Sequence, residues 1–129
     1  MNIQAKQQVY TEAARVLRPG GRLAFHDILA GDGRPLHFPV MWAADQTISF
    51  LATPDETKAM LRKAGLREVM WADVTVEARA MLGGMLAAGG PPPLGVHLII
   101  RDSAARLANI CRNIDEGRAV VVQAVYERP

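Results

Sequence analysis

The chain has one cysteine in 129 residues, Cys111, so no intrachain disulfide can staple its fold. Aromatic residues make up only 5% of it, and the net charge is just +2. The densest basic group is Arg15, Arg18 and Arg22, with Glu12 and Asp27 on either side. A nucleic-acid binder concentrates positive charge on one face and interleaves aromatics, and neither feature is present, so no nucleic-acid partner is expected. No apolar stretch approaches the ~20 residues needed to cross a bilayer. The opening residues, Met1 to Lys6, lack the apolar core of a signal peptide. A cytoplasmic protein without a membrane partner is therefore expected. Internal repeats and low-complexity tracts are also lacking. The only histidines are His26, His37 and His97, and no spacing joins them with Cys111 into a tetrahedral site, so no metal is expected. No Ser-His-Asp or Cys-His arrangement stands out either.

Half of the residues are hydrophobic and 22% are charged, a globular composition sufficient for one domain over residues 1–129 around one core. The first segment reads as a helix with Asn2 at its N-cap and Val9, Ala13, Val16 and Leu17 recurring at helical spacing, Tyr10 alongside. Arg18-Pro19-Gly20-Gly21 stops it. Arg22 to Ile28 is a short apolar run that suits a strand covered on both faces. Thr53-Pro54-Asp55-Glu56 combines an N-cap threonine, a proline at the first helical position and the glutamate of a capping box. The helix it opens buries Met60, Leu61 and Ala64 and ends at Gly65.

Leu66 to Val74 reads as a second strand. Thr75 then caps a third helix to about Ala88, weakened by Gly83 and Gly84. Gly89 to Pro93 is a break, and Val96 to Ile100 fits strand or helix. Asp102 can cap a last helix whose Leu107, Ile110, Cys111 and Ile114 share one face, ending near Gly117; Ala119 to Tyr126 is a valine-rich third strand. The alternation is that of an α/β layer. Between the first strand and the second helix, residues 29–52 lose all periodicity yet keep Phe38, Met41, Trp42, Ile48 and Phe50. Such a segment is lid-like, or else simply covers a core.

Arg15-Val16-Leu17-Arg18-Pro19-Gly20-Gly21-Arg22-Leu23 resembles the segment between the fourth helix and fifth strand of class I S-adenosylmethionine-dependent methyltransferases. Met1-Asn2-Ile3, Phe38 to Trp42, Ile48 to Leu51 and Trp71 to Thr75 are similar to the glycine, sarcosine and dimethylglycine methyltransferase-like group. The resemblance implies the C-terminal half of that fold: a partial Rossmann-like sheet of strands five to seven. In it Arg22–Ile28 is the fifth strand, Leu66–Val74 the sixth, and Ala119–Tyr126 an antiparallel seventh between them. It implies S-adenosylmethionine as the cofactor of the complete family and a small molecule, of amine type, as methyl acceptor. The family's glycine-rich turn after a first strand, and the acid ending a second, are not found here, because Gly20-Gly21 precedes a strand and Gly31-Asp32-Gly33 opens no helix. The chain is thus expected to bind no cofactor by itself, to lack the cofactor-binding half, and to be inactive in isolation. The alternative is a non-enzymatic remnant that binds a ligand or a partner and oligomerises.

The resemblance puts the end of the first strand toward the substrate, making His26 and Asp27 candidates to orient an amine or carboxylate; alternation sends them to opposite faces. Asn2 lies where the family contacts cofactor or substrate, though a helix cap explains it equally. His37, Phe38 and Trp42 could wall the site, the rings holding a methylated ammonium by cation–π attraction; ordinary core packing is the competing role. No covalent nucleophile is implied, since methyl transfer is a displacement governed by positioning. An apolar strand without its neighbour invites pairing, so a homodimer or higher oligomer through that edge is expected.

Overall fold

The computed structural model describes residues 1–32, 35–88 and 100–129. In chain order the elements are α1 (Lys6–Val16), β1 (Arg22–Ala30), α2 (Pro54–Lys63), β2 (Arg67–Asp73), α3 (Thr75–Ala87), α4 (Ser103–Asp115) and β3 (Ala119–Glu127). The expected break at Gly89 to Pro93 and residues 96–99 of the Val96 to Ile100 stretch, His97 among them, lie outside the described residues. The three strands form one sheet in the order β1-β3-β2, both pairings antiparallel. The central position of the last strand is the one expected. β1 pairs with β3 in unbroken register from Arg22↔Glu127 to Ala30↔Ala119, whereas β2 carries a bulge between Glu68 and Met70.

Two clusters of buried side chains lie on the two faces. On one, Tyr126 and Ala124 of β3 meet Ala14 of α1 and Leu61 and Leu66 from α2 and the turn after it, with Phe25 and Trp71 packed around them. Tyr126 is fully buried, and its hydroxyl donates to Glu68 at 2.8 Å; burial and that carboxylate raise its pKa above the ordinary tyrosine value. On the other face, Val121 of β3 meets Ile110 and Ile114 of α4, Ala78 of α3, and Val40 and Ala43 of the irregular segment. This second layer covers only part of the sheet. Ala24 and His26 remain exposed, so β1 is not covered on both faces as its apolar run suggests.

Local signals account for most of the elements. The Thr53 hydroxyl accepts from the Glu56 amide while the Glu56 carboxylate accepts from the Thr53 amide, so the capping box is complete. Gly65, with φ +81°, turns the chain out of α2, where a left-handed conformation favours glycine. Other caps differ from expectation. α1 starts after Ala5 with no side-chain cap, because Asn2 is engaged elsewhere. Asp102 precedes α4 in a left-handed conformation (φ 55°), which keeps its carboxylate off the first turn. Thr75 is the first residue of α3 rather than its cap; its amide and hydroxyl both donate to Asp73. The glycines do not break α3: Gly83 lies under Arg79, whose guanidinium makes two 2.8 Å bonds to Asp115 of α4.

α1 presents a different stripe from the one its spacing suggested. Ala14 is buried and Tyr10 and Leu17 pack on the sheet, while Val9 and Val16 are 40% and 68% exposed. Replacing Thr53 with alanine is expected to cost about 1 kcal/mol of stability, read as a lower urea midpoint at unchanged slope, since it removes the hydroxyl that accepts from the Glu56 amide.

Candidate functional site

The irregular segment is held from beneath by α4. Arg106, Asn109, Asn113 and Glu116 follow one another at helical spacing along and just beyond α4, and all four bond the segment. The Arg106 guanidinium donates to the Val40 and Ala43 carbonyls, and the Asn109 amide donates to the Pro39 carbonyl at 2.9 Å. Asn113, 1% exposed, accepts from the His37 amide at 2.7 Å and donates to the His37 carbonyl at 3.0 Å. Val40 and Ala43 also bond one another through both backbone groups, and both are buried. The Phe38-Pro39 peptide is cis.

The opening residues are stitched to the other end of this segment. The Asn2 side-chain amide donates to the carbonyls of Trp42 (2.6 Å) and Ile48 (2.9 Å), and the Met1 carbonyl accepts from the Phe50 amide at 3.0 Å. The Trp42 indole donates to the Ser49 hydroxyl at 3.0 Å, and the Ala52 carbonyl accepts from Ala30 at the end of β1. Beside these residues α1 and β1 enclose a cavity of about 240 Å³. Its walls include Ile3, Val9, Leu23 and Phe25, with Asp27 on the sheet side and Tyr10 and Lys6 on the helix side among its polar groups. The Tyr10 and Phe25 rings lie 6.5 Å apart. Burial first, and the Asp27 carboxylate second, raise the Tyr10 pKa above the ordinary value. The Met1 amino nitrogen is 3.7 Å from an Asp27 oxygen.

The sequence-derived candidates fall into three places. Asn2, Asp27 and Trp42 are brought to one region, with Asn2 linking the segment to the start of the chain rather than capping α1. His26 is on the opposite face of β1 from Asp27, as alternation requires, with its Nδ1 3.4 Å from the Gln123 amide. His37 is fastened to the end of α4, its Nε2 2.9 Å from Glu116, and Phe38 packs on the core with Trp42. Tyr10 and the polar row on α4 were not singled out by sequence. The row's signal is Arg106, Asn109 and Asn113 beside an apolar face, spaced three and four apart.

A broader groove of about 1090 Å³ runs between α1 and α2, lined mainly by apolar surface with Gln7, Lys6 and Lys63 at its sides. No group of three or more His, Cys, Asp or Glu among the described residues could hold a metal ion. Nor is any described helix long and apolar enough to cross a membrane.

Comparison with solved structures gives this arrangement a context. The chain aligns over 100% of its length with 47% of a geranyl diphosphate methyltransferase solved with S-adenosylmethionine (TM-score 0.70, 17% identity). It aligns over 99% with 31% of phosphoethanolamine N-methyltransferase 2 of Haemonchus contortus (TM-score 0.73, 11% identity). A candidate sarcosine dimethylglycine methyltransferase of Galdieria sulphuraria matches over 99% of this chain and 49% of its own (TM-score 0.63, 14% identity). This is the fold of the C-terminal part of S-adenosylmethionine-dependent methyltransferases. The chain spans less than half the length of each of these proteins. No family model and no curated protein matches its sequence.

The described glycines of this partial methyltransferase fold do not form a cofactor cradle. A side chain on Gly31 would overlap the Gly117 carbonyl, so that glycine admits backbone, not a ligand. Gly20 and Gly65 serve turns with positive φ, and Gly83 makes room for Arg79. None follows a strand as the opening of a parallel βα unit, which is how backbone approaches a nucleotide.

Replacing Asn113 with alanine would leave the His37 amide and carbonyl unpaired in a buried place and is expected to cost about 1–3 kcal/mol in urea unfolding. A second test concerns acid. The Glu116 carboxyl, bonded by His37, Arg112 and Arg118, is held down at about 2 from an ordinary 4.5. A depressed folded value means its stabilising contribution is complete above pH 4.5 and is lost as pH falls through about 2. Stability in Glu116→Gln is expected to vary less with pH across that window than in the parent chain, by thermal unfolding.

Proposed function

We propose that the chain is the acceptor-side half of a small-molecule methyltransferase that uses S-adenosylmethionine, folding as one domain over residues 1–129 with segment 29–52 as the cover of its site. The observation that carries the reading is the alignment of the whole chain with only the C-terminal part of such enzymes. Two of the three named neighbours are called after amine acceptors and the third after geranyl diphosphate. The carboxylate of Asp27, at a cavity that it shares with Lys6 and that the Tyr10 and Phe25 rings wall, supports a cationic amine. An amine is therefore the acceptor class we favour, with Asp27 orienting it and Asn2 and Trp42 fixing the cover; His26, His37 and Phe38 fit a structural role better.

The glycines described above do not fit the cofactor, so no methyl transfer is assigned to this chain in isolation. That same observation favours a second reading, a non-enzymatic module that binds a ligand or partner. In the second reading the outer edge of β1, which no described strand pairs with, supports a homodimer or larger assembly. Calorimetric titration of the folded chain with S-adenosylmethionine and S-adenosylhomocysteine is expected to give no binding heat; micromolar binding would overturn the view that a second half is needed. Sarcosine, followed by NMR, is expected to bind weakly, and Asp27→Asn to weaken it about tenfold through loss of a charge-assisted bond. An unchanged affinity in that variant would remove Asp27 from the site.

A further inference from the structure

A second pocket, of about 190 Å³, lies at the carboxyl end of β1 and shares no lining residue with the cavity beside Asp27. Ala30, the last residue of β1, lines it, and by alternation Ala30 faces the opposite side of the sheet from Asp27. At this end the chain closes its own edge, since the Ala30 amide turns away from β3 to the Ala52 carbonyl at 2.9 Å. Leu36, Phe38 and Leu51 of the irregular segment give the pocket its apolar wall. Its polar side chains are Arg118, just ahead of β3, with Gln46 and Ser49 of the segment.

These polar groups are placed to donate. The Arg118 side chain is 19% exposed, and its guanidinium is fixed by bonds to the Glu116 carboxylate and the Pro35 carbonyl. A guanidinium has five N–H donors, and those two bonds leave three. The Ser49 oxygen accepts from the Trp42 indole at 3.0 Å, which leaves the hydroxyl its own proton to give. Gln46, on the short turn Gln46–Ile48, adds a side-chain amide with two N–H groups. Glu116 does not cancel Arg118 one for one, because the same carboxylate also takes His37 and Arg112. Asp32, exposed beside Gly117, is the other carboxylate of the neighbourhood, and among the described residues no carboxylate lines the pocket.

A fixed guanidinium flanked by neutral donors suits an anion whose oxygens only accept. Size and walls choose among anions. Pockets for whole ligands usually exceed about 300 Å³, so this one takes a group of a few heavy atoms. Three apolar side chains favour a short hydrocarbon stem over a fully hydrated oxyanion. We propose that the pocket binds a small carboxylate, its oxygens on Arg118, Ser49 and Gln46 and its stem against Leu36, Phe38 and Leu51. The site goes beyond the amine-binding reading and does not rest on it. Because Gln46 and Ser49 belong to the cover and Arg118 to the end of the sheet, the bound carboxylate ties one to the other.

NMR titration of the folded chain with sodium propionate replacing sodium chloride, at constant ionic strength, is expected to give saturable shifts of the Ser49, Leu51 and Arg118 amides. Inorganic phosphate is expected to bind less tightly. Gln46→Glu sets a like charge beside the ligand and is expected to weaken propionate about tenfold. Arg118→Gln is expected to abolish saturation, and Asp27→Asn to leave it unchanged. Gln46 stands on an exposed turn, so its variant decides the matter even where Arg118→Gln loosens the segment; circular dichroism checks both folds. Shifts that do not saturate, an unchanged affinity in Gln46→Glu, or tighter binding of phosphate than of propionate would each overturn the carboxylate site. Loss of propionate binding in Asp27→Asn would overturn it too, by moving the ligand to the other cavity. The methyltransferase reading is judged separately, by the cofactor and sarcosine titrations above.

Discussion

The structure depends on how α4 satisfies the backbone of residues 37–43. That stretch has no helix or strand ladder to occupy its amides and carbonyls, yet Val40 and Ala43 are buried. Buried backbone groups without partners cost free energy comparable to a lost hydrogen bond, so an irregular segment can enter a core only if side chains take the place of a ladder. Asn113 supplies a donor and an acceptor to one residue, as a neighbouring strand would, and Arg106 and Asn109 complete the row. The apolar face of α4 and this polar row therefore act together: one packs on the sheet and the other lets a loop pack on the helix.

Fixing the segment fixes what it touches. Trp42 and Ile48 are the anchor points for Asn2, and Phe50 for Met1, so the course of the chain into α1 depends on a loop that comes after β1 in sequence. Ala52 in turn bonds the last residue of β1. The cavity beside Asp27 is bounded by these same elements, which places its geometry under the control of α4 on the far face of the sheet. A substitution in the polar row would be felt there without touching the cavity itself.

What the sequence made legible follows the range of each interaction. The capping box at Thr53, the turn glycine at Gly65 and the apolar face of α4 are local patterns, and each stands where its spacing put it. The order β1-β3-β2 was readable only through the resemblance, because strand order is a property of contacts between distant residues. Asn2 shows the limit of local reasoning. It is as good an N-cap as any residue in the chain, but its amide meets two carbonyls, 40 and 46 positions away, and no spacing rule reports that. The polar row was overlooked for the opposite reason: asparagine and arginine on a helix usually meet water, and only the need of a buried loop gives them another use.

α1 makes the same point about packing. Its residues 9, 10, 13, 14, 16 and 17 give an apolar arc wider than one sheet contact requires, and periodicity alone cannot say which part of the arc faces the core. The structure places 10, 14 and 17 there and leaves Val9 and Val16 outside. A wide arc with half its width exposed is not random surface composition, since the remaining positions, Glu12 and Arg15 among them, are polar and paired with each other. Side chains lying singly on a surface need no explanation, but a continuous stripe adjoining an unbulged strand edge does. Helix stripe and strand edge together describe the next unit of an α/β layer, and the chain offers both on the same side.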